Sequence, residues 1–315
     1  MARSEPITLK VSSRSPKRPI KKLPTSVEVT DTTTVQDVKV ILAKPGRWDP
    51  ERFGIYGADN KLLKDRKARI SQLVKDGQEI AVKDLGPQIP WRTVFVIEYF
   101  GPILMHTSFL LLRPYIYSNL TPLSLSQQLS AGMIILHFLK REYETLFVHK
   151  FSLNSMPARN IFKNSAHYWI LSGLWIAYWI CAPNSYTAQS SPTIDMVNMV
   201  GIALYLFGEI ANAHTHRILS NLRSPGGTER GIPQGLGFNL VTCPNYFFEM
   251  LAWFGIAIVA KTWATAVFLV VAYVQMHIWA VKKEKAYRKE FPDKYKKKKY
   301  VIFPSPLDLV KSLTS

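Results

Sequence analysis

Two different hydrophobic patterns meet near residue 90. Before that point, short segments have the character of strands, and the first of them alternates apolar and polar residues, as a half-buried strand does. These segments are residues 7–11, 26–29, 53–56 and 79–82. Between the second and the third, Val35 and Val38 follow helical spacing, and Pro45 ends the predicted helix. The order strand, strand, helix, strand, strand predicts a compact α+β domain over residues 1–85.

Long apolar runs replace this alternation beyond a linker at residues 86–93. The run at 246–281 would form about 54 Å of helix, too long for one crossing of a bilayer, and Lys261 and Thr262 divide it in two. The predicted spans are residues 94–112, 129–147, 168–182, 196–210 and the two parts of 246–281. We therefore expect a membrane domain of about six helices over residues 94–281, followed by a basic tail at 282–315.

The distribution of charge supports this organisation. The net charge is +18, which would also suit a nucleic-acid-binding protein. However, the loops at 115–125 and 183–192 contain no charged residue, whereas the opposite loops and the tail carry the basic clusters. Because basic residues concentrate on the cytosolic side of a membrane, we expect both termini in the cytosol, the bilayer as a partner and no nucleic acid.

Metal and disulfide chemistry have little support in the sequence. Cys181 and Cys243 are the only cysteines, and they form neither a disulfide framework nor a CxxC motif. His214 and His216 could chelate zinc, but no third ligand has a suitable spacing, so we predict no metal site.

Polar residues inside the predicted spans are the candidates for function, because an ionisable side chain there costs several kcal/mol unless it is paired or hydrated. In the second span, His137, Lys140, Arg141 and Glu144 share one helix face. They could form part of a site, or they could be a helix end at the interface with snorkelling bases and paired acids.

Two later stretches suit the phosphates and hydroxyls of a nucleotide. Asn212 and His216 are one helical turn apart, and Arg223 follows them. Asn245 and Glu249 share a helix face after a proline suited to the first turn, and Tyr246 points about 100° away. Tyr246 could equally be an aromatic anchor at the interface.

Three stretches in one order carry a family resemblance: KREYETLFVHKFS at residues 140–152, PARNIFKN at 157–164 and CPNY at 243–246. With them, almost the whole chain resembles the very-long-chain trans-2-enoyl-CoA reductases of the steroid 5α-reductase-like family. The resemblance implies a multi-pass α-helical membrane protein with an N-terminal ubiquitin-like (β-grasp) domain. It also implies an endoplasmic reticulum enzyme that performs the last step of microsomal fatty-acid elongation, beside the ketoacyl synthase, the ketoacyl reductase and the hydroxyacyl dehydratase.

The resemblance further implies NADPH bound in a cavity among the later helices. The positions that match its nucleotide contacts are Arg141, Asn212, Arg223, Asn245, Glu249 and Tyr287. His216 stands where the steroid enzymes carry an acid, and Lys283 replaces a histidine. Glu98 matches a membrane glutamate near the substrate carbonyl, but its tyrosine partner is Phe138 here, which disfavours a steroid substrate.

Reduction of a 2-enoyl thioester needs a hydride at Cβ, a proton at Cα and stabilisation of the thioester oxygen. A neutral phenol can donate to either atom, so we expect Tyr246 to be the acid and Lys140 its electrostatic support. Three alternatives stay open: a steroid or polyprenol reductase with the same cofactor site, an isoprenylcysteine-type methyltransferase that consumes S-adenosylmethionine, and a non-enzymatic scaffold.

Overall fold

The computed structural model describes residues 6–15, 17, 19–118, 121–151, 155–190, 193–224 and 231–303. The chain forms two compact units. The first comprises Met1–Trp91 and Leu153–Ile161, and the second comprises Arg92–Ser152 and Phe162–Ser315.

The first unit contains a four-stranded sheet with one helix. Its strands are β1 (Ile7–Ser13), β2 (Ser26–Val29), β3 (Phe53–Tyr56) and β4 (Glu79–Asp84), in the spatial order β2-β1-β4-β3. β1 runs parallel to β4, and the two outer pairs are antiparallel. Leu9, Ile55 and Ile80 are fully buried in a core that these strands share with helix α1 (Val35–Ala43). The four segments predicted as strands therefore form strands in the structure.

Helix α1 begins where the side chains of Thr34 and Asp37 satisfy each other's backbone N–H groups. Beyond β4, a short strand β5 (Gln88–Pro90) pairs with β6 (Ser155–Pro157). The residues predicted as a linker thus include an ordered strand.

The second unit is helical. Its helices are α2 (Trp91–Leu111), α3 (Arg113–Ile116), α4 (Leu125–Tyr143), α5 (Asn160–Ala166), α6 (Ile176–Cys181), α7 (Met196–Asn221), α8 (Pro244–Ala260) and α9 (Trp263–Glu290). A π-helical turn, Glu144–Val148, continues α4, and a second π-helix, His167–Trp175, joins α5 to α6. Residues 160–181 are therefore helical without a break.

Within the described residues, three helices are long and apolar enough to cross a membrane: α2, α7 and α9. The helix α8 is apolar but shorter. The chain is thus a helical membrane protein, as predicted. The expected division of 246–281 also appears, because α8 ends at Ala260 and Lys261 adopts a left-handed conformation before α9. Three predicted ends are displaced, since the third helical run starts at Asn160, α7 continues to Asn221 and α9 continues to Glu290.

Helices α7 and α8 pack with their backbones in close approach. A Cβ atom on Gly208 would lie 2.6 Å from the backbone nitrogen of Ala252, and one on Gly255 would lie 2.4 Å from the carbonyl oxygen of Gly201. Only glycine fits at such contacts, which are common between membrane helices. The close approach brings the polar residues of α7 next to those at the start of α8.

Candidate active site

Four polar side chains lie on one helix face, as their spacing predicts: His137, Lys140 and Arg141 of α4, and Glu144 at the start of the π-helical turn that follows. His137 Nδ1 lies 2.5 Å from Glu209 Oε1 on α7, and its Nε2 lies 3.3 Å from Glu249 Oε1 on α8. His137 is only 2% exposed. One imidazole therefore joins carboxylates of two neighbouring helices away from water.

Lys140 belongs to the same network. Its Nζ lies 2.9 Å from Glu209 Oε2 and donates a 2.5 Å hydrogen bond to Asn212 Oδ1. Glu144 Oε1 lies 3.5 Å away. In the described part of the chain, no hydrogen bond or ion pair connects Lys140 with Tyr246. The structure thus joins Lys140 to α7 and does not bring it into contact with the proposed acid.

Arg141 connects three helices. Its guanidinium donates a 2.6 Å hydrogen bond to Glu144 Oε2 and a 2.9 Å hydrogen bond to the hydroxyl of Tyr99 on α2. It also lies 3.1 Å from His216 Nδ1 on α7, which is itself 2.9 Å from Glu144 Oε2. Such buried charges are tolerated only when they are paired. The structure therefore gives Arg141 and His216 a definite role in holding the helices together.

Glu144, His149 and His216 place potential metal-ligand atoms within 4.8 Å of one another. However, Arg141 Nη1 bonds to the same carboxylate oxygen and approaches the same imidazole nitrogen. A metal ion among these atoms would face a guanidinium, so the cluster suits Arg141. Burial, with the nearby charges of Arg141 and His216, lowers the pKa of His149 to about 3, and its imidazole is neutral at physiological pH.

The first turn of α8 carries the next candidates. Pro244 occupies the first helical position, where its fixed φ and missing N–H are acceptable. Asn245 follows and is 5% exposed, and its carbonyl oxygen accepts a 2.8 Å hydrogen bond from Asn212 Nδ2. Asn245 Oδ1 is buried and has no partner within the described residues. An acceptor in this position suits a ligand that presents a donor.

Tyr246 is half-buried beside α9. The ammonium of Lys283 lies 5.7 Å from the centre of its ring, and the ring of Trp279 lies at 6.4 Å. Its hydroxyl makes no hydrogen bond to any residue that the structure describes. The cation in contact with Tyr246 is thus Lys283, which the sequence placed among the cofactor residues.

The remaining cofactor candidates lie at other places. Arg223 donates a 2.6 Å hydrogen bond to the carbonyl oxygen of Lys150, and Lys150 returns one of the same length. Tyr287 lies one helical turn after Lys283 on α9, with its ring 5.2 Å from that of Tyr295.

The two substrate candidates are both buried. Phe138 is 1% exposed, and the centre of its ring lies about 6 Å from those of Tyr99, Tyr168 and Trp253. Glu98 is 2% exposed and accepts a hydrogen bond from Asn164, while its Oε1 has no partner among the described residues. These groups form an aromatic interior with one available acceptor.

Sequence reasoning missed two members of the network. Glu209 pairs with both His137 and Lys140, and Tyr99 pairs with Arg141. Glu209 could have been found, because it is an acid inside a predicted span, one turn before Asn212. Tyr99 gave no comparable signal, since tyrosines are common in membrane helices.

Comparisons with known proteins agree with these observations. The family model described as 3-oxo-5-alpha-steroid 4-dehydrogenase matches residues 154–306. A Schizosaccharomyces pombe protein described as an enoyl reductase is 43% identical over 94% of this chain and 99% of its own length. The very-long-chain enoyl-CoA reductase of Dictyostelium discoideum is 37% identical over 88% of this chain and 89% of its own.

A third relative, the trans-2,3-enoyl-CoA reductase-like protein of Mus musculus, is 33% identical over 88% of this chain and 78% of its own. These matches extend over nearly the full length of the chain and confirm the resemblance seen in its motifs. The protein therefore belongs to the family of enoyl-CoA reductases whose C-terminal region matches the 3-oxo-5-alpha-steroid 4-dehydrogenase model.

Proposed function

We propose that this protein reduces the 2,3 double bond of long-chain and very-long-chain trans-2-enoyl-CoA to the saturated acyl-CoA, with NADPH as the electron donor. One observation carries the proposal. The Tyr246 hydroxyl makes no hydrogen bond to a described residue and projects from the same helical turn as the unpartnered Asn245 Oδ1. Both lie beside a buried network of charges, in a chain whose relatives bear the names of enoyl-CoA reductases.

The residues present fit a dinucleotide. Asn245 Oδ1 and the carboxylate of Glu249 are acceptors suited to ribose hydroxyls or a carboxamide N–H. Asn212 fixes Asn245 through its backbone carbonyl oxygen. The bases Arg223 and Lys283 suit phosphates, with Arg141, His216 and Tyr287 completing the proposed set.

When bound, NADPH would supply the hydride that adds to Cβ. Tyr246 donates the proton that completes the reduction at Cα, so that one hydride and one proton add across the double bond. Lys283, over its ring, offsets the negative charge that develops on the phenolate as the proton leaves. Lys140 acts from farther away, by fixing Asn212 and through it the start of α8.

Glu98 and Phe138 line the proposed substrate side. The aromatic cluster around Phe138 suits an apolar acyl chain, and the partnerless oxygen of Glu98 would accept a hydrogen bond from a donor on the substrate side.

The runner-up is reduction of a steroid or polyprenol double bond, which the family model favours by its description. Against it, position 138 carries phenylalanine, and no hydroxyl is present there to polarise a steroid carbonyl. If the purified protein reduced a 3-oxo-steroid faster than an enoyl-CoA, steroid reduction would be its function.

The cellular setting is also part of the proposal. The family resemblance implies the endoplasmic reticulum membrane. We place both termini of a six-span chain in the cytosol, because the basic clusters lie on one side of the predicted spans. The strand order β2-β1-β4-β3 with α1 supports a ubiquitin-like β-grasp domain. Its partners would be the other fatty-acid elongation enzymes.

The test is NADPH oxidation by the full-length, detergent-purified protein supplied with a long trans-2-enoyl-CoA. The Tyr246→Phe variant should lose about 10²–10⁴-fold in kcat, the usual contribution of a positioned acid. Tyr143→Phe, on an exposed tyrosine of α4, is the matched control and should keep full activity. Unchanged turnover in Tyr246→Phe would remove Tyr246 from the mechanism, and no oxidation by the wild type would refute the proposed reaction.

A further inference from the structure

Glu284, near the end of α9, is a buried carboxylate that the mechanism above does not use. Its Oε2 accepts two hydrogen bonds of 2.5 Å, one from Thr242 Oγ1 and one from the Tyr295 hydroxyl. The two donors lie 3.4 Å apart. All three side chains are at most 9% exposed. Two hydroxyl donors therefore share one buried acceptor oxygen, and this arrangement connects the three side chains.

The three residues come from three separate segments of the chain. Glu284 belongs to α9, Thr242 lies two residues before α8, and Tyr295 opens a C-terminal segment at residues 295–303. The backbone N–H groups of Thr242 and Cys243 donate to the carbonyl oxygens of Tyr300 and Val301, at 3.3 and 2.9 Å. The cluster therefore lies where the C-terminal segment runs beside the chain entering α8.

The C-terminal segment is anchored in the helical core beyond this point. Ile302 is fully buried, and the ring of Phe303 stacks on Tyr273 of α9 at 4.8 Å and lies 6.3 Å from Phe247 of α8. Phe247 is the residue after Tyr246. The segment thus contacts α8 one residue away from the proposed acid.

The chemistry of the cluster explains why a carboxylate occupies position 284. Two hydroxyl donors converge on one oxygen, which a carboxylate or an amide oxygen can accept but an apolar side chain cannot. Burial and the bond to Glu284 raise the pKa of Tyr295, so its phenol stays protonated as a donor. Glu284 Oε1 is buried and has no partner among the described residues. Burying such an oxygen costs free energy, so a carboxylate at this position serves a purpose other than packing.

We propose that Glu284 is a positioning residue for the reductase site. By bonding Thr242 and Tyr295 together, it fastens the C-terminal segment to the start of α8 and thereby fixes Asn245, a proposed cofactor contact, against Lys283 and Tyr287 of α9. The predicted effect on cofactor binding rests on the proposed function. The attachment of the C-terminal segment to the start of α8 does not depend on that function.

Two readouts on the full-length purified protein separate these parts. The first is the rate of tryptic cleavage in the lysine-rich stretch 294–299, measured without cofactor or substrate. The second is the KM for NADPH and the kcat with a long trans-2-enoyl-CoA. Glu284→Ala should raise both the cleavage rate and the KM by about tenfold, because two buried hydrogen bonds are lost. The kcat should change by less than about twofold, because Glu284 is not expected to touch the reacting atoms.

Three variants sharpen the test. Glu284→Gln keeps an oxygen for both donors and should stay within about threefold of the wild type. Thr242→Val and Tyr295→Phe each remove one bond with little change of shape, and they give the answer if Glu284→Ala does not fold. Glu28→Ala, an exposed acid on β2, is the control and should change neither readout.

The outcomes are distinguishable. Unchanged cleavage and KM in Glu284→Ala, with the same result in Tyr295→Phe, would overturn the inference. Faster cleavage with an unaltered KM would overturn the positioning role. If the wild type did not oxidise NADPH with an enoyl-CoA, the proposed function would fail, whereas faster cleavage in Glu284→Ala and not in Glu28→Ala would still support the fastening.

Discussion

Replacing Arg141 with methionine removes the guanidinium that joins α2, α4 and α7. The variant loses hydrogen bonds to Glu144, Tyr99 and His216. Glu144 stays 2% exposed, and its remaining cation, Lys140, lies 3.5 Å away and is shared with Glu209. Breaking a buried ion pair costs about 3–5 kcal/mol, and the partial compensation by Lys140 places the expected loss near the lower end, about 3 kcal/mol.

The measurement is the free energy of unfolding in detergent micelles for the wild type, Arg141→Met, Glu144→Leu and the double variant. Because the double variant leaves no unpaired charge from this pair, it should be more stable than Arg141→Met alone. A loss below about 1 kcal/mol in Arg141→Met would indicate a solvated pair. Strictly additive losses in the double variant would show that the two side chains do not interact, and either result would refute the buried network.

Three further predictions concern other parts of the chain. Gly208→Ala should destabilise the protein by about 1–3 kcal/mol in the same unfolding assay, because the new Cβ would overlap the backbone of Ala252 where α7 packs on α8. The control is Gly132→Ala, whose Cβ would have no atom within 4 Å. His149 has a folded-state pKa of about 3 against 6.5 in the unfolded chain, so the stability of the folded protein falls as the pH drops below 6.5. His149→Gln should therefore flatten a profile of thermal stability between pH 6.5 and 5. An unchanged slope would show that His149 does not cause this pH dependence. Thr34→Ala should cost the first unit about 1 kcal/mol, seen as faster hydrogen exchange in α1, with unchanged NADPH oxidation; slower or equal exchange would contradict the cap.

The sequence predicted the first unit well because local rules determine it. Alternation at residues 7–11 predicted a half-buried strand, in which Leu9 is fully buried, and Pro45 marked the end of a helix that finishes at Ala43. The division at Lys261 was equally visible, since a charged residue interrupts a run too long for one span. The displaced ends of α7 and α9 have a different origin, because both helices continue into polar sequence where a hydrophobicity pattern carries no information.

The sequence alone did not show which side chains of different helices contact each other. Spacing along α4 correctly placed His137, Lys140, Arg141 and Glu144 on one face, but it could not show that Glu209 would pair with Lys140. The sequence proposed Lys140 as the electrostatic support of Tyr246, and the structure additionally places the Lys283 ammonium 5.7 Å from the centre of that ring. The roles of Tyr246 and Lys140 in catalysis stay predictions.

The π-helical turn at Glu144–Val148 has a consequence for how the length of this chain can vary. The His149 N–H donates to the carbonyl oxygen of Glu144, five residues back, at 2.7 Å, so the turn holds one residue more than an α-helix needs. Deleting one residue here would replace the wide turn by an ordinary α-helical turn and change the path by which the chain leaves the helix. The hydrogen bond from the Ser220 hydroxyl to the carbonyl oxygen of Val148 would then be misaligned. The two reciprocal hydrogen bonds between Lys150 and Arg223 would be misaligned as well. Gaps of a single residue should therefore be tolerated in the surface loops and rejected in this turn.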